Sequence, residues 1–516
     1  MSKAGTISMY LRKRLIKKGA KLIKKQGAAP DLPKAKFDRI AAPVSDHFTV
    51  GFAAADIMPR DIPSKRVIPI KFKNKWRHTG KYYIAGYSAW NPAEGALDPM
   101  TVSAIYIDDN SGRGGVIMVS TDTVGLSSED VNAMRAELAD FQKQIGCRII
   151  NILSTHDHAA IDTVGMWGPV PKTGRNPEFM RILYDGVIDA VKRAYENRRD
   201  GDLYYGRKKT PPIQRDSRLP HVFNEYLTRL RFVPSDGSRE VWMLNYASHT
   251  ESLLGANAMA SADFAGYMRR DIARMADVDT IYFIGAVGGL IRLKELEKDD
   301  ISTLLTGDHS DIDAIPEAHI RSTYIGGRAL AETAIAIEDE RKLPPMVNML
   351  RQEYYAEADN HVLATILGFG MIKNSPHPRP ESATNLMLRT EMAYYEIGDL
   401  NLLLLPCELF PELAYGGYLS ADESAEGKSP DINPTPLVDI AGDKELVVFG
   451  LANDFTGYVV PPNDFYLDEE APYINGKRDR LDRGHYEETN SLGPNTAPTI
   501  ARVFTEMMET VKQTKA

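Results

Sequence analysis

Short apolar runs bounded by polar or glycine-containing turns recur along the chain. They fall at Gly115–Ser120, Arg148–Leu153, Val241–Tyr246, Thr280–Ile284, Leu400–Leu405 and Leu446–Phe449. Runs this short and this continuous predict buried strands. Between them the apolar positions move to a period near 3.6. That period predicts helices over Ser128–Gln144, Glu178–Glu196, Ala262–Met275, Glu317–Glu338 and Ala497–Lys512. Strands alternating with helices imply an α/β or mixed α+β architecture with mixed sheets and surrounding helices. No fixed-period repeat occurs, which excludes a solenoid or propeller. Polar stretches with Gly and Pro at 420–436 and 461–484 predict long surface loops, a class that is often functional.

Residues 1–43 differ from the rest. Nine lysines and arginines fall in residues 1–30 with no acid, so a chain of net charge −8 carries −17 in the remainder. Leu11, Leu15, Ile16, Leu22 and Ile23 recur among these cations. The spacing predicts a basic amphipathic helix at residues 9–25, able to lie on an anionic membrane surface. Prolines 30, 33 and 43 then mark a linker. The expected organisation is an arm and linker over 1–43 and one large folded unit over 44–516. The acidic body argues against a nucleic-acid partner. No run of about 18 apolar residues predicts a membrane span. The expected location is cytoplasmic with a peripheral membrane contact. With 43% apolar and 26% charged residues, and only Cys147 and Cys407, disordered and disulfide-rich classes are excluded.

Four segments carry candidate chemistry. Thr155-His156-Asp157-His158 follows a predicted buried strand, where α/β proteins place ligands. Histidines at i and i+2 point the same way on an extended chain, so one can bind a metal while the other faces substrate. His249 follows a second strand, and Asp263 could orient its imidazole. Glu408 ends the run Leu404-Leu405-Pro406-Cys407, and a carboxylate there needs a partner or a metal if buried. Tyr458 lies in Gly450-Leu451-Ala452-Asn453 to Gly457-Tyr458, and alone is as readily a packing residue. Gly285 to Gly289 reads as a close backbone approach. Phosphate-loop, dinucleotide, nucleophile-elbow and HExxH motifs are missing.

In order, these segments resemble the catalytic domain of the neutral/alkaline, non-lysosomal ceramidases. Gly51 to Pro59 is similar to that family's opening G-x-G-x-A-D-I-T-x-P, and Thr155 to His158 to its T-H-T-H-S-G. Asn245 to His249, then Ser261 to Phe264, resemble N-F-A-x-H and S-A-D-F. Leu405 to Glu408 resembles P-G-E, and Gly450 to Asn453 with Gly457 to Val459 resembles G-L-A-N and G-Y-V. His485-Tyr486-Glu487 and Ser491 to Pro494 are similar to H-Y-E-G-A-S-T-L-x-G-P.

The resemblance implies a Zn²⁺ held by His156, His249, Glu408 and Tyr458. It implies His158 as acid or oxyanion donor and Tyr486 as second oxyanion donor. An arginine of Gln214 to Arg218 would anchor a polar substrate group, Arg218 in the first instance and Arg215 as its alternative. The implied reaction is hydrolysis of ceramide or a related N-acyl lipid to a sphingoid base and fatty acid, with zinc-activated water as nucleophile. Two departures stand out. Ile291 occupies the place of the family's active-site serine, and Ala159-Ala160 replaces Ser-Gly. The family's C-terminal immunoglobulin-like domain and secretion signal are expected to be absent. The alternatives are a hydrolase of the same fold acting on another ester, lactone or N-acyl substrate, and a catalytically silent, membrane-associated homologue.

Overall fold

The structure is a computed structural model that describes every residue except 1–16, 18–20, 22–23, 63–67, 73–74, 170–171, 380–385 and 475. Leu11, Leu15, Ile16, Leu22 and Ile23 of the expected basic helix therefore lie outside the described residues.

Each run predicted as a strand is a strand. In chain order the elements that build the molecule are β1 (Phe48–Asp56), β2 (Thr101–Asp108), β3 (Val116–Thr121), α1 (Ser128–Glu137), β4 (Ile149–Ser154) and α2 (Pro177–Glu196). Then come β5 (Arg199–Lys209), β6 (Tyr226–Pro234), β7 (Val241–Tyr246), α3 (Asp263–Ala276), β8 (Asp279–Ile284) and α4 (Ala318–Ile335). The last are β9 (Val347–Ala358), α5 (His361–Gly368), β10 (Leu386–Ile397), β11 (Leu400–Leu404), β12 (Val447–Phe449) and α6 (Thr496–Lys515).

A large sheet runs in the order β8-β7-β6-β5-β1-β2-β3-β4, with Glu340–Lys342 pairing onto β5. A second runs β9-β10-β11-β12. Most neighbours are antiparallel, but β3/β4, β7/β8 and β11/β12 are parallel. Strands β3, β4 and β7 are buried at every position, which is why their sequences show no alternation.

Apolar clusters define the layers. Phe48, Val50, Leu230, Phe283, Leu402, Leu404 and Phe449 belong to the core shared by the two sheets. On the other face of the large sheet, α1 and α2 cover one half and α3 and α4 the other. Helix α6 covers the outer face of the second sheet. The result is a mixed α/β molecule of helix, sheet, sheet and helix layers, as the sequence pattern implied.

The helix expected over Ser128–Gln144 is divided at Leu138 into two pieces, Ser128–Glu137 and Ala139–Gln144. Leu138 is fully buried, whereas no residue of the second piece is, so the chain turns to keep that leucine in the core. Residues expected to be linker are packed. Phe37 is buried against Tyr394, and Asp38 pairs with Met349 and forms ion pairs with Arg113 and Arg148. Cys147 and Cys407 are both unpaired and buried. Among the described residues no helix is long and apolar enough to cross a membrane.

The two ends of the large sheet approach each other, since Ser120 Oγ of β3 donates to the Tyr282 carbonyl of β8 at 2.5 Å. The turn leaving β12 ties both ends together. Gly450 N donates to the Ile284 carbonyl at 2.9 Å and Asn453 N to the Ile152 carbonyl at 2.8 Å. The Asn453 side chain completes this seam, accepting from Ile152 N at 2.9 Å and donating to Asn151 Oδ1 at 3.0 Å. A side chain at Gly450 would place its Cβ 2.7 Å from the Gly285 carbonyl oxygen, so the close approach needs glycine.

Phe283 and Phe449 stack across the two sheets with ring centroids 5.0 Å apart. Phe449→Ala should cost about 3–5 kcal/mol of stability and lower the thermal unfolding transition by several degrees. An unchanged transition would mean that this contact does not join the sheets.

Candidate metal centre

The parallel strands place their C-terminal ends at one spot, and each sends a loop over it. His156 and His158 follow β4, His249 follows β7, Glu408 follows β11 and Tyr458 follows β12. The loops are bonded to one another. Asp157 bridges to Thr250, and His158 N donates to the Thr250 carbonyl at 2.9 Å. Glu408 and Tyr458 are direct partners in a short parallel ladder, so their side chains leave on the same face.

Contrary to the sequence expectation, the two histidines after β4 do not meet on an extended chain. His156 takes a left-handed conformation, φ +57°, which costs a non-glycine residue energy and often marks a functional site. The turn brings the His156 and His158 rings edge to face with centroids 4.6 Å apart. Asp263 also departs from expectation. Its carboxylate accepts from the backbone N–H groups of Ser252 and Leu253 at 3.1 and 2.8 Å, so it shapes the loop after His249 and leaves the imidazole alone.

Glu408 Oε2 lies 3.2 Å from His156 Nε2 and 3.1 Å from His249 Nε2. Tyr458 Oη lies 3.2 Å from the same His249 nitrogen. The other ring nitrogens face backbone carbonyls, His156 Nδ1 that of Val124 at 2.6 Å and His249 Nδ1 that of Leu290 at 3.1 Å. A carbonyl only accepts, so each Nδ1 carries a proton, and whenever the ring is neutral its Nε2 lone pair turns inward.

Two lone pairs and a carboxylate oxygen thus point at one place. Protonating both rings would set two cations with ring centroids 4.5 Å apart. Burial and the neighbouring His156 push the His249 imidazole below its ordinary range. Burial opposes charge on His156 too, but Glu408 outweighs it and raises that ring. Burial likewise disfavours charge on Glu408, yet His156 and His249 hold its carboxyl well below the usual range. One divalent cation would satisfy all three acceptors together, and this donor set fits one.

His158 stands beside the set. Its Nε2 is 3.1 Å from His156 Nε2, and the three imidazoles each offer a nitrogen within 4.8 Å of the others. Its Nδ1 lies 3.0 Å from Glu251 Oε2. Burial, with His156 next to it, pushes the His158 imidazole well below its ordinary value, and burial raises the Glu251 carboxyl to about 7. Glu251 escaped the sequence reading because it belongs to no recognisable motif; its position two residues after His249 was the available signal.

His156, His158, Glu251, Glu408 and Tyr458 line a cavity of about 730 Å³. Tyr486 stands at its wall, 45% exposed, with its ring 6.0 Å from that of Tyr458. The rest of the wall is largely apolar, with Val164 and Trp167 on one side and Val362, Leu363, Ile366 and Leu367 of α5 on another. The Asn360 side chain caps α5 by accepting from Val362 N and Leu363 N. Nothing in the sequence pattern set this short helix apart as a wall of the site.

Arg218 does not line this cavity, whereas Arg215 does. Arg218 is buried among Asp464, Glu487 and Glu488, at 2.6, 3.3 and 3.1 Å. His485 completes that cluster between Asp479 and Glu488, and Arg483 pairs with Asp464 and Asp479. Arg218 thus neutralises carboxylates and fixes the segment that carries Tyr486. Ile291 lines the cavity where the family resemblance expects serine. The Gly285 to Gly289 turn behind it is tight, as expected. A Cβ on Gly288 would lie 2.7 Å from the Phe410 backbone nitrogen.

No family model matches the chain, and no curated protein matches it. Solved structures do. The crystal structure of neutral ceramidase from Pseudomonas aeruginosa is similar with a TM-score of 0.63 at 16% identity, over 91% of this chain and 75% of that one. A ceramidase complexed with C2 is similar with a TM-score of 0.60 at 14% identity, over 91% and 76%. The chain therefore has the fold of the neutral ceramidases.

Chelator treatment of the purified protein should lower its melting temperature, and added Zn²⁺ should restore it. At a hundredfold excess over Kd such binding is worth about 2.7 kcal/mol. His249→Ala and Glu408→Gln should lose the response. A response of the same size in either variant would place the metal elsewhere.

Proposed function

We propose that this chain, built on the neutral ceramidase fold, hydrolyses the amide bond of ceramide or a related N-acyl lipid at a Zn²⁺ centre. Its ligands are His156, His249, Glu408 and Tyr458. One observation carries the reading: His156, Glu408 and Tyr458 line a cavity whose remaining wall is mostly apolar. An amphiphile with an amide between its head and its chain matches that division.

Zn²⁺ bound there supplies Lewis-acid polarisation and a water of lowered pKa. The chain's own residues do the rest. His158, a neutral imidazole facing the reacting carbonyl, takes a proton from the attacking water and passes it to the leaving nitrogen. Glu251 stands behind the ring, its Oε2 3.0 Å from the His158 Nδ1. Tyr486 donates a hydrogen bond to the oxygen on which charge develops. Helix α5 holds the acyl chain and keeps water from that end. Ile291 can neither attack a carbonyl nor donate a hydrogen bond, which supports water as the nucleophile. Water adds across the C–N bond, giving a fatty acid and an amine. A peripheral contact of residues 9–25 with anionic lipid fits a substrate of this kind.

Tyr486→Phe and His158→Ala should each lower kcat on a fluorescent short-chain ceramide by about 10²–10³, while bound zinc per chain stays the same in Tyr486→Phe. Full activity in both variants would remove these residues from the reaction.

A further inference from the structure

Two cations in the wall of the cavity take no part in the metal centre. Arg215 and Arg292 both line it. They face each other directly across a short antiparallel ladder, Gln214–Arg215 against Arg292–Leu293. Cross-strand partners hold their Cβ atoms about 4.5–5.5 Å apart, and like charges there repel. One carboxylate answers both. Glu295 lies 2.6 Å from an Arg292 nitrogen and 3.9 Å from Arg215, and its own side chain is 62% exposed. Glu251, another carboxylate on this wall, lies 3.0 Å from His158 Nδ1 and feels the charge of Arg292 without forming an ion pair with it. The Arg292 side chain is only 16% exposed, and its buried Nε has no hydrogen-bond partner among the described residues. Two guanidinium groups therefore share one solvent-facing acid, and a buried donor stays unsatisfied beside an open cavity. Leaving such a donor unmatched is costly.

We infer that Arg215 and Arg292 receive an anionic headgroup, carboxylate or phosphate, so that the preferred substrate is a negatively charged N-acyl amphiphile. The inference rests on the hydrolase reading above and adds which amide is cut. A guanidinium fork matches the oxygens of either anion, and an anion between the two arginines removes their repulsion. The acyl chain lies along α5, the amide beside His158, and the anion at the arginine pair. Hydrolysis places the hydroxyl of water on the acyl carbon and a proton on the nitrogen, and the anionic group leaves with the amine. Arg218 cannot serve this purpose, since its charge is consumed by Asp464, Glu487 and Glu488.

The test uses three dodecanoyl amides with the zinc-loaded full chain, each below its critical micelle concentration. They are N-dodecanoylglycine, N-dodecanoylphosphoethanolamine and the neutral N-dodecanoylethanolamine. Binding is measured by titration calorimetry and turnover by release of the amine. At least one anionic amide should bind about tenfold or more tightly than the neutral one, and the tighter of the two identifies the headgroup. Arg292→Gln should abolish that preference and Arg292→Lys should retain part of it. Equal binding of all three overturns the inference. So does an anionic preference that survives both Arg292→Gln and Arg215→Gln, because the anion then sits elsewhere. Preferential binding without turnover of any amide sustains the arginine site and defeats the hydrolase reading; turnover without preference does the reverse.

Discussion

Two imidazole nitrogens each lie about 3 Å from one carboxylate oxygen, and a backbone carbonyl on the far side of each ring holds it in place. Lone pairs crowded in this way repel, and protonating both buried rings would set two cations side by side. A cation removes the conflict at all three atoms. The rest of the site is organised around meeting this demand. It explains why His156 tolerates a left-handed backbone and why Val124 and Leu290 present their carbonyls to imidazoles. It also explains why Glu408 and Tyr458 come from directly paired residues.

The fold supplies the ligands from four separate strand ends. Parallel pairs close the large sheet at β4 and β8 and the second sheet at β12, and the loops leaving parallel strands at the same end converge. The seam through Gly450 and Asn453 fastens the second sheet to both ends of the first. Glu408 and Tyr458 follow strands of one sheet and the histidines follow strands of the other, so this seam sets the distance between the nitrogen and oxygen halves of the centre.

Much of this was legible in the sequence because it depends on short, local patterns. Buried strands betray themselves by continuous apolar runs, and β3, β4, β7 and β8 were visible for that reason. His156, His249, Glu408 and Tyr458 were legible only as an ordered set, since each alone suits a structural role equally well. Features that depend on contacts between distant segments were not legible. The left-handed turn at His156 is imposed by loops from β3 and β7. Arg218 and Arg215 are three residues apart and alike in sequence, yet one is enclosed by carboxylates from 464 to 488 and the other opens onto the cavity. Asp263 bonds backbone amides because the loop after His249 folds back over it. Glu251 and α5 matter through what they face, which no pattern along the chain records.

A cavity lined by both metal-binding and apolar groups joins the metal centre to a substrate class, and the centre is the part on which everything else rests. Zinc K-edge X-ray absorption on the purified chain tests it most directly. The account predicts a first shell of nitrogen and oxygen at about 2.0–2.2 Å, with the outer-shell scattering of at least two imidazoles and no sulfur. A sulfur ligand, which would bring Cys407 into the shell, or a zinc shell without imidazole, would contradict it.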